Sequence, residues 1–133
     1  MSRGGLSFER IGAKTITVKA AGSVSAVALV SGAAYVEGKA VTCEGEELYG
    51  YGSAGDPLRG IIDKYEDDNY MTIQYAGFRE DVPGVSAALP TPENPIAVNG
   101  AGAVSPVATH VSPAYAVSVD DTADVNTVVV FIG

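Results

Sequence analysis

The 133 residues are enough for one domain with a core of its own, without disulfides or a structural metal. A formal charge of −8, from 8 basic and 16 acidic residues, argues against nucleic acid and against anionic membranes, because both are recognised through Lys and Arg. The single cysteine, Cys43, excludes an intrachain disulfide and a cysteine-based metal framework.

Met1 to Gly12 contains no apolar run of signal-peptide length. Gly4-Gly5 follows Arg3, and Arg10, Lys14 and Lys19 make this end locally basic despite Glu9. Residues 1–14 therefore read as a flexible arm, either simply frayed or reaching an acidic neighbour, ahead of a single β domain over 15–133. The most apolar stretch, Val24 to Val36, is broken by Ser25, Ser31 and Gly32 and is too short to span a bilayer. The expectation is a protein made in the cytosol and not exported by a cleaved signal.

Sixteen glycines and seven prolines cut the chain into short pieces, which favours strands and turns over long helices. Thr15 to Lys19 alternates, with Ile16 and Val18 on one face and Thr15, Thr17 and Lys19 on the other. Val24–Val30 and Ala34–Thr42 are rich in β-branched and small residues, and they read as strands punctuated by Gly32 and Gly38. Gly50 to Pro57 is a turn region ending in Asp56-Pro57. Arg59–Lys64 and Tyr70–Tyr75 flank a charged turn and predict a hairpin; Met71, Ile73 and Tyr75 share one face, and Tyr70, Thr72 and Gln74 the other.

Pro83, Pro90, Pro92 and Pro95 make Val82–Pro95 a loop or extended arm, with at most one helical turn near Val85–Leu89. Ile96-Ala97-Val98 runs into Asn99-Gly100, a hairpin signal, and returns through Ala103-Val104. Tyr115–Val119 and Thr127–Ile132 are strands joined by Asp120–Asn126. Val128, Val130 and Ile132 face one side and Val129 and Phe131 the other, so the last strand reads as buried on both faces. The expected fold is all-β, a small compact antiparallel barrel or sandwich with a flexible N-terminal arm, a Pro-rich loop and little or no helix.

Charge is uneven. Residues 1–79 hold all 8 basic and 10 acidic residues, whereas residues 80–133 hold no basic and 6 acidic ones. Either a partner covers part of this charge-poor segment, or Ser, Thr and Asn solvate it.

Chemistry finds little purchase. The one histidine, His110, could serve a triad only as its base, and the residues around Cys43 match no nucleophile motif. Glu44, Glu46 and Glu47, and Glu66, Asp67 and Asp68, read as solvated turns; a glycosidase pair would want aromatic platforms, and there is no tryptophan. Asp120, Thr122, Asp124 and Asn126 alternate as in a calcium loop, but Val125 stands where Gly is required and Phe131 where Glu is. Gly100-Ala101-Gly102 lacks the Gly-Lys-Ser/Thr of a phosphate loop. The expectations are no enzyme activity, no cofactor and no metal.

The stretches Gly60–Asp63, Tyr70–Gly77, Ile96–Val104 and Asp120–Gly133, taken with Thr15–Lys19, resemble the capsid decoration, or cement, proteins of tailed bacteriophages. The resemblance is best from Gly60 onward, and Tyr35–Pro57 matches none of its motifs. It implies a homotrimer on the outer face of the virion capsid that bridges major capsid proteins and stabilises the shell, with no small-molecule substrate. From the reading of arm and last strand, Arg3, Arg10, Lys14, Val129 and Phe131 are the expected capsid or subunit contacts. The alternative is a small β glycan- or receptor-binding module of a tail or fibre, using a patch drawn from Tyr35, Tyr49, Tyr51, Tyr65, Tyr70, Tyr75 and Tyr115.

Overall fold

The computed structural model describes residues 13–66, 69–85, 89–90, 93–107, 114–120 and 127–132. The elements in chain order are β1 (Lys14–Ala20), α1 (Gly22–Ser31), α2 (Ala33–Val36), β2 (Ala40–Gly45), β3 (Leu48–Gly50) and β4 (Gly60–Tyr65). They continue as β5 (Tyr70–Pro83), β6 (Ile96–Val98), β7 (Val104–Pro106), β8 (Tyr115–Asp120) and β9 (Thr127–Ile132).

Strands pair in the order β1-β3-β2-β4-β5, and β5 returns to β1, which closes a five-strand barrel. Closure removes the free edges that an open sheet would leave. The β1–β3 seam is parallel, while β2–β3, β2–β4, β4–β5 and β1–β5 are antiparallel. The far end of the 14-residue β5 leaves the barrel and pairs with β9, which pairs with β8; β6 and β7 form a separate hairpin. The fold is a small all-β one, as the alternation and turn signals indicate.

Strand periodicity distributes neighbouring residues between two cores. Val41 and Ile62 join Val18, Met71 and Ile73 in one cluster, closed over by Val24, Ala28 and Val36 of the helices. The adjacent Ala40 and Ile61 belong instead to a second cluster with Leu58, Val82, Ile96, Val98, Val104, Val128, Val130 and Ile132. Successive side chains of a strand face opposite sides, so β2 and β4 serve both clusters at once. In the charge-poor C-terminal segment, Ile96, Val98, Val104, Val128, Val130 and Ile132 thus pack against the chain's own barrel.

The β4–β5, β6–β7 and β8–β9 hairpins form as the sequence indicates. The β6–β7 turn is longer than a two-residue one: Asn99 Oδ1 accepts from the N–H groups of Ala101 and Ala103 at 2.8 and 3.0 Å. Two expectations are corrected. Val82 and Pro83, assigned to a loop, end β5 and pair with Val128 and Thr127. Val24–Val30, assigned to a strand, lies within α1, and Ala34–Val36 lies within α2. Helix wins there because Val24, Val27 and Ala28 come round to one side at helical spacing and pack into the barrel cluster. Gly32, at φ 97°, ends α1 with its N–H on the Ala28 carbonyl. The Val85–Leu89 turn falls largely outside the described residues.

The β5 strand bends where it leaves the barrel. Gly77 takes φ 94°, and buried Gln74 donates from Nε2 to the carbonyls of Ala76 and Phe78 at 3.1 and 2.9 Å. Arg79 Nη1 reaches Asp63 Oδ1 at 2.8 Å and Gln74 Oε1 at 3.4 Å, tying β5 to β4 beyond the bend.

Candidate functional site

Of the expected contact residues, Arg3 and Arg10 lie outside the described residues. Lys14 is exposed but opens β1, where it pairs with Ala76, so it belongs to the barrel and not to an arm. Val129 is 1% exposed and offers no area to a partner. Phe131 is half-buried and packs between Phe78 and Tyr115, with ring centroids 4.9 and 5.3 Å away. The prediction that β9 is covered on both faces holds, but the chain itself covers Val129.

The most exposed apolar side chains lie elsewhere, on the α1–α2 hairpin, with Ile16 of β1 and Tyr70 and Tyr75 of β5 exposed to a lesser degree. Leu29 is 88%, Val30 86% and Tyr35 55% exposed, with Ala26, Ala33 and Ala34 exposed around them. No ionisable acid or base occurs between Lys19 and Glu37 apart from the Tyr35 phenol. A soluble surface helix normally carries charge on its outer face, and a helix apolar all round is normally buried.

The hairpin is seated firmly at its start. Ala21 N–H donates to the Tyr49 carbonyl at 2.7 Å. Ser23 Oγ donates to Glu44 Oε2 at 2.8 Å and accepts from Tyr51 N–H at 3.0 Å. The same carboxylate oxygen accepts from Gly52 N–H at 2.8 Å. Glu44, expected to be a solvated turn residue, instead ties α1 to β2 and the segment after β3. Gly50 makes the close approach possible, since a β-carbon there would run into the Glu44 carboxylate, the Ser23 hydroxyl and the Ala21 methyl. At the other end Lys39 Nζ sits 4.7 Å from the centre of the Tyr35 ring, within cation–π range.

A cleft of about 410 Å³ opens between Glu37, Gly38, Asp63, Arg79, Glu80 and Asp81. Its one cation, Arg79, is engaged by Asp63 and Gln74, which marks the cleft as the junction between barrel and outer layer. Among the described residues no group of three His, Cys, Asp or Glu side chains could hold a metal ion. Cys43 is exposed and not in the core, and its Sγ donates to the Gly45 carbonyl at 3.0 Å. His110 and residues 121–126 fall outside the described residues, so neither the triad nor the calcium-loop reading has geometry to weigh.

The seven tyrosines do not assemble into one platform. Tyr51 is buried, Tyr49 and Tyr65 pack against the barrel cluster, and Tyr115 stacks on Phe131. Tyr35, Tyr70 and Tyr75 are exposed. Tyr70 and Tyr75 stand five residues apart on β5, about 17 Å along the strand. Burial first, and the neighbouring Tyr35 second, push the Tyr51 phenol above its ordinary value of 10.0. The Tyr51 hydroxyl is buried without a hydrogen-bond partner.

Among the described residues no helix is long and apolar enough to cross a membrane. No protein-family model matches the sequence, and no curated protein matches it significantly.

Proposed function

We propose that this chain is a structural virion protein that binds the outer surface of a tailed-phage capsid as a homotrimer and stabilises the shell by bridging major capsid subunits. The observation that carries the reading is the uncharged, apolar outer face of α1–α2 on an otherwise acidic barrel. Such a face gains free energy when another apolar surface removes it from water. The cleft at the barrel junction is lined in part by its own Arg79–Asp63 ion pair.

The sequence stretches that resemble decoration proteins, Thr15–Lys19, Gly60–Asp63, Tyr70–Gly77, Ile96–Val104 and Asp120–Gly133, include residues of β1 and of β4 to β9. They belong to the strand framework and not to the α1–α2 hairpin. Repetition around a symmetric shell turns contacts of modest strength into high occupancy. In this reading the basic residues Arg3 and Arg10 reach the shell ahead of β1, and the chain performs no chemistry.

Co-sedimentation with purified, expanded capsids of the virus that encodes the chain tests the reading. Saturable binding at a fixed copy number per shell is expected, with weaker binding once residues 1–12 are deleted. A full-length chain that stays in the supernatant at all concentrations overturns it. Unchanged binding by the truncated chain removes Arg3 and Arg10 from the contact.

A further inference from the structure

We infer that, whatever the chain binds, Asn99 is a site of self-modification. In the folded protein its side-chain amide is converted to a carboxylate through attack by the Gly100 backbone nitrogen.

Of the four asparagines, Asn69, Asn94, Asn99 and Asn126, only Asn99 precedes a glycine. A side chain on the following residue would crowd the approach of its nitrogen to Cγ, and Gly100 has none. The fold itself requires that glycine. Gly100 takes φ 92°, and a β-carbon there would come within 3.3 Å of the Ala54 nitrogen and 3.5 Å of the Gly52 carbonyl oxygen.

The surroundings of Asn99 favour the reaction. Its Oδ1 accepts from the N–H groups of Ala101 and Ala103 at 2.8 and 3.0 Å. Two backbone donors on one carbonyl oxygen draw charge from Cγ and stabilise the oxyanion that forms as the Gly100 nitrogen adds. Neither the nucleophile, Gly100 N–H, nor the leaving group, Asn99 Nδ2, has a hydrogen-bond partner among the described residues. Both residues are only half-buried, so water reaches them.

Water is the co-reactant. The Gly100 nitrogen gives its proton to solvent and bonds to Cγ; the Cγ–Nδ2 bond breaks, ammonia leaves, and a cyclic imide remains. Water then adds at Cγ, the carbonyl held by the two N–H groups, which breaks the new Cγ–N bond and leaves an ordinary aspartate. Addition at the backbone carbonyl would instead insert an extra carbon into the main chain, next to the Val98–Val104 pair that begins the β6–β7 register. The aspartate keeps both N–H bonds, now charge-assisted. It sets a negative charge inside 94–119, a run without Asp, Glu, Lys or Arg.

The test is peptide mapping by mass spectrometry of the full chain, aged in native buffer and in guanidinium chloride at one pH and temperature. Fragmentation beside Cα separates aspartate from its backbone isomer. The folded chain should lose the Asn99 amide at least as fast as the unfolded chain and yield mainly aspartate. Asn99→Asp should melt no lower than the wild type. A folded chain that keeps the Asn99 amide longer than the unfolded one overturns the inference, because the turn then protects the side chain. A folded chain that yields mainly the isomer, or an N99D variant with a lower melting temperature, overturns the role given to the two N–H groups.

Discussion

The barrel and the C-terminal layer solve the problem of covering apolar surface in opposite ways. The barrel, β1 to β5, carries all the chain's basic residues from Lys14 onward and closes on itself, yet its helices leave Leu29 and Val30 in water. The layer of β6 to β9 has almost no charge, yet Ile96, Val98, Val104, Val128, Val130 and Ile132 are buried. Poverty of charge in a segment therefore does not locate an interface; what matters is whether the opposite face has somewhere to go. In the layer it goes onto the outside of β2 and β4, through Ala40 and Ile61. In the hairpin no described residue covers it.

The comparison breaks most directly at the two cores. Ile73→Ala empties space in the barrel and Leu58→Ala in the layer, and each should cost roughly 2–5 kcal/mol, since both side chains are at most 1% exposed. Because β2, β4 and β5 serve both clusters, urea unfolding should show one transition that either substitution shifts. A barrel transition untouched by L58A would show that the layer unfolds separately.

A smaller effect should follow at the junction. Arg79→Met removes the charge-assisted bond to Asp63 beyond the β5 bend and should cost about 2 kcal/mol. Hydrogen exchange should rise more along β8 and β9 than along β1 and β3. Equal rises in all four would show that Arg79 does not act at the junction in particular.

The smallest effect has the opposite sign. Tyr51→Phe removes a buried hydroxyl that lacks a partner and should raise stability by about 1 kcal/mol. Tyr51 ionises less readily when folded than when unfolded, so its contribution is fully present below pH 10 and is lost as pH rises through the folded-state value. Y51F should therefore also flatten the alkaline fall in stability. A variant that loses stability at neutral pH, with the same alkaline limb, would contradict this assignment.

Much of the β framework was legible in the residues. Thr15–Lys19 forms a strand in which Val18 is buried but Ile16 is exposed, Asn99-Gly100 sits between paired strands, and Val128-Val129-Val130 is buried on both faces. The helical hairpin was not legible, for the reason that makes it interesting. With Ala26, Leu29 and Val30 outside and Val24 and Ala28 inside, α1 lacks the polar stripe by which a helix announces itself, and its valines favour strand on local grounds. The role of Glu44 was hidden as well, because its partners, Ser23 and the N–H of Gly52, are distant in sequence and meet it only once α1 packs on β3. Val129 was read correctly as covered but not by what.

The central claim is that the chain strengthens a shell by covering this kind of surface, and calorimetry of capsids with and without bound protein tests it most directly. The account predicts that saturating protein raises the temperature at which the shell ruptures, and that Leu29→Lys forfeits most of the gain. Full occupancy with an unchanged rupture temperature would contradict it.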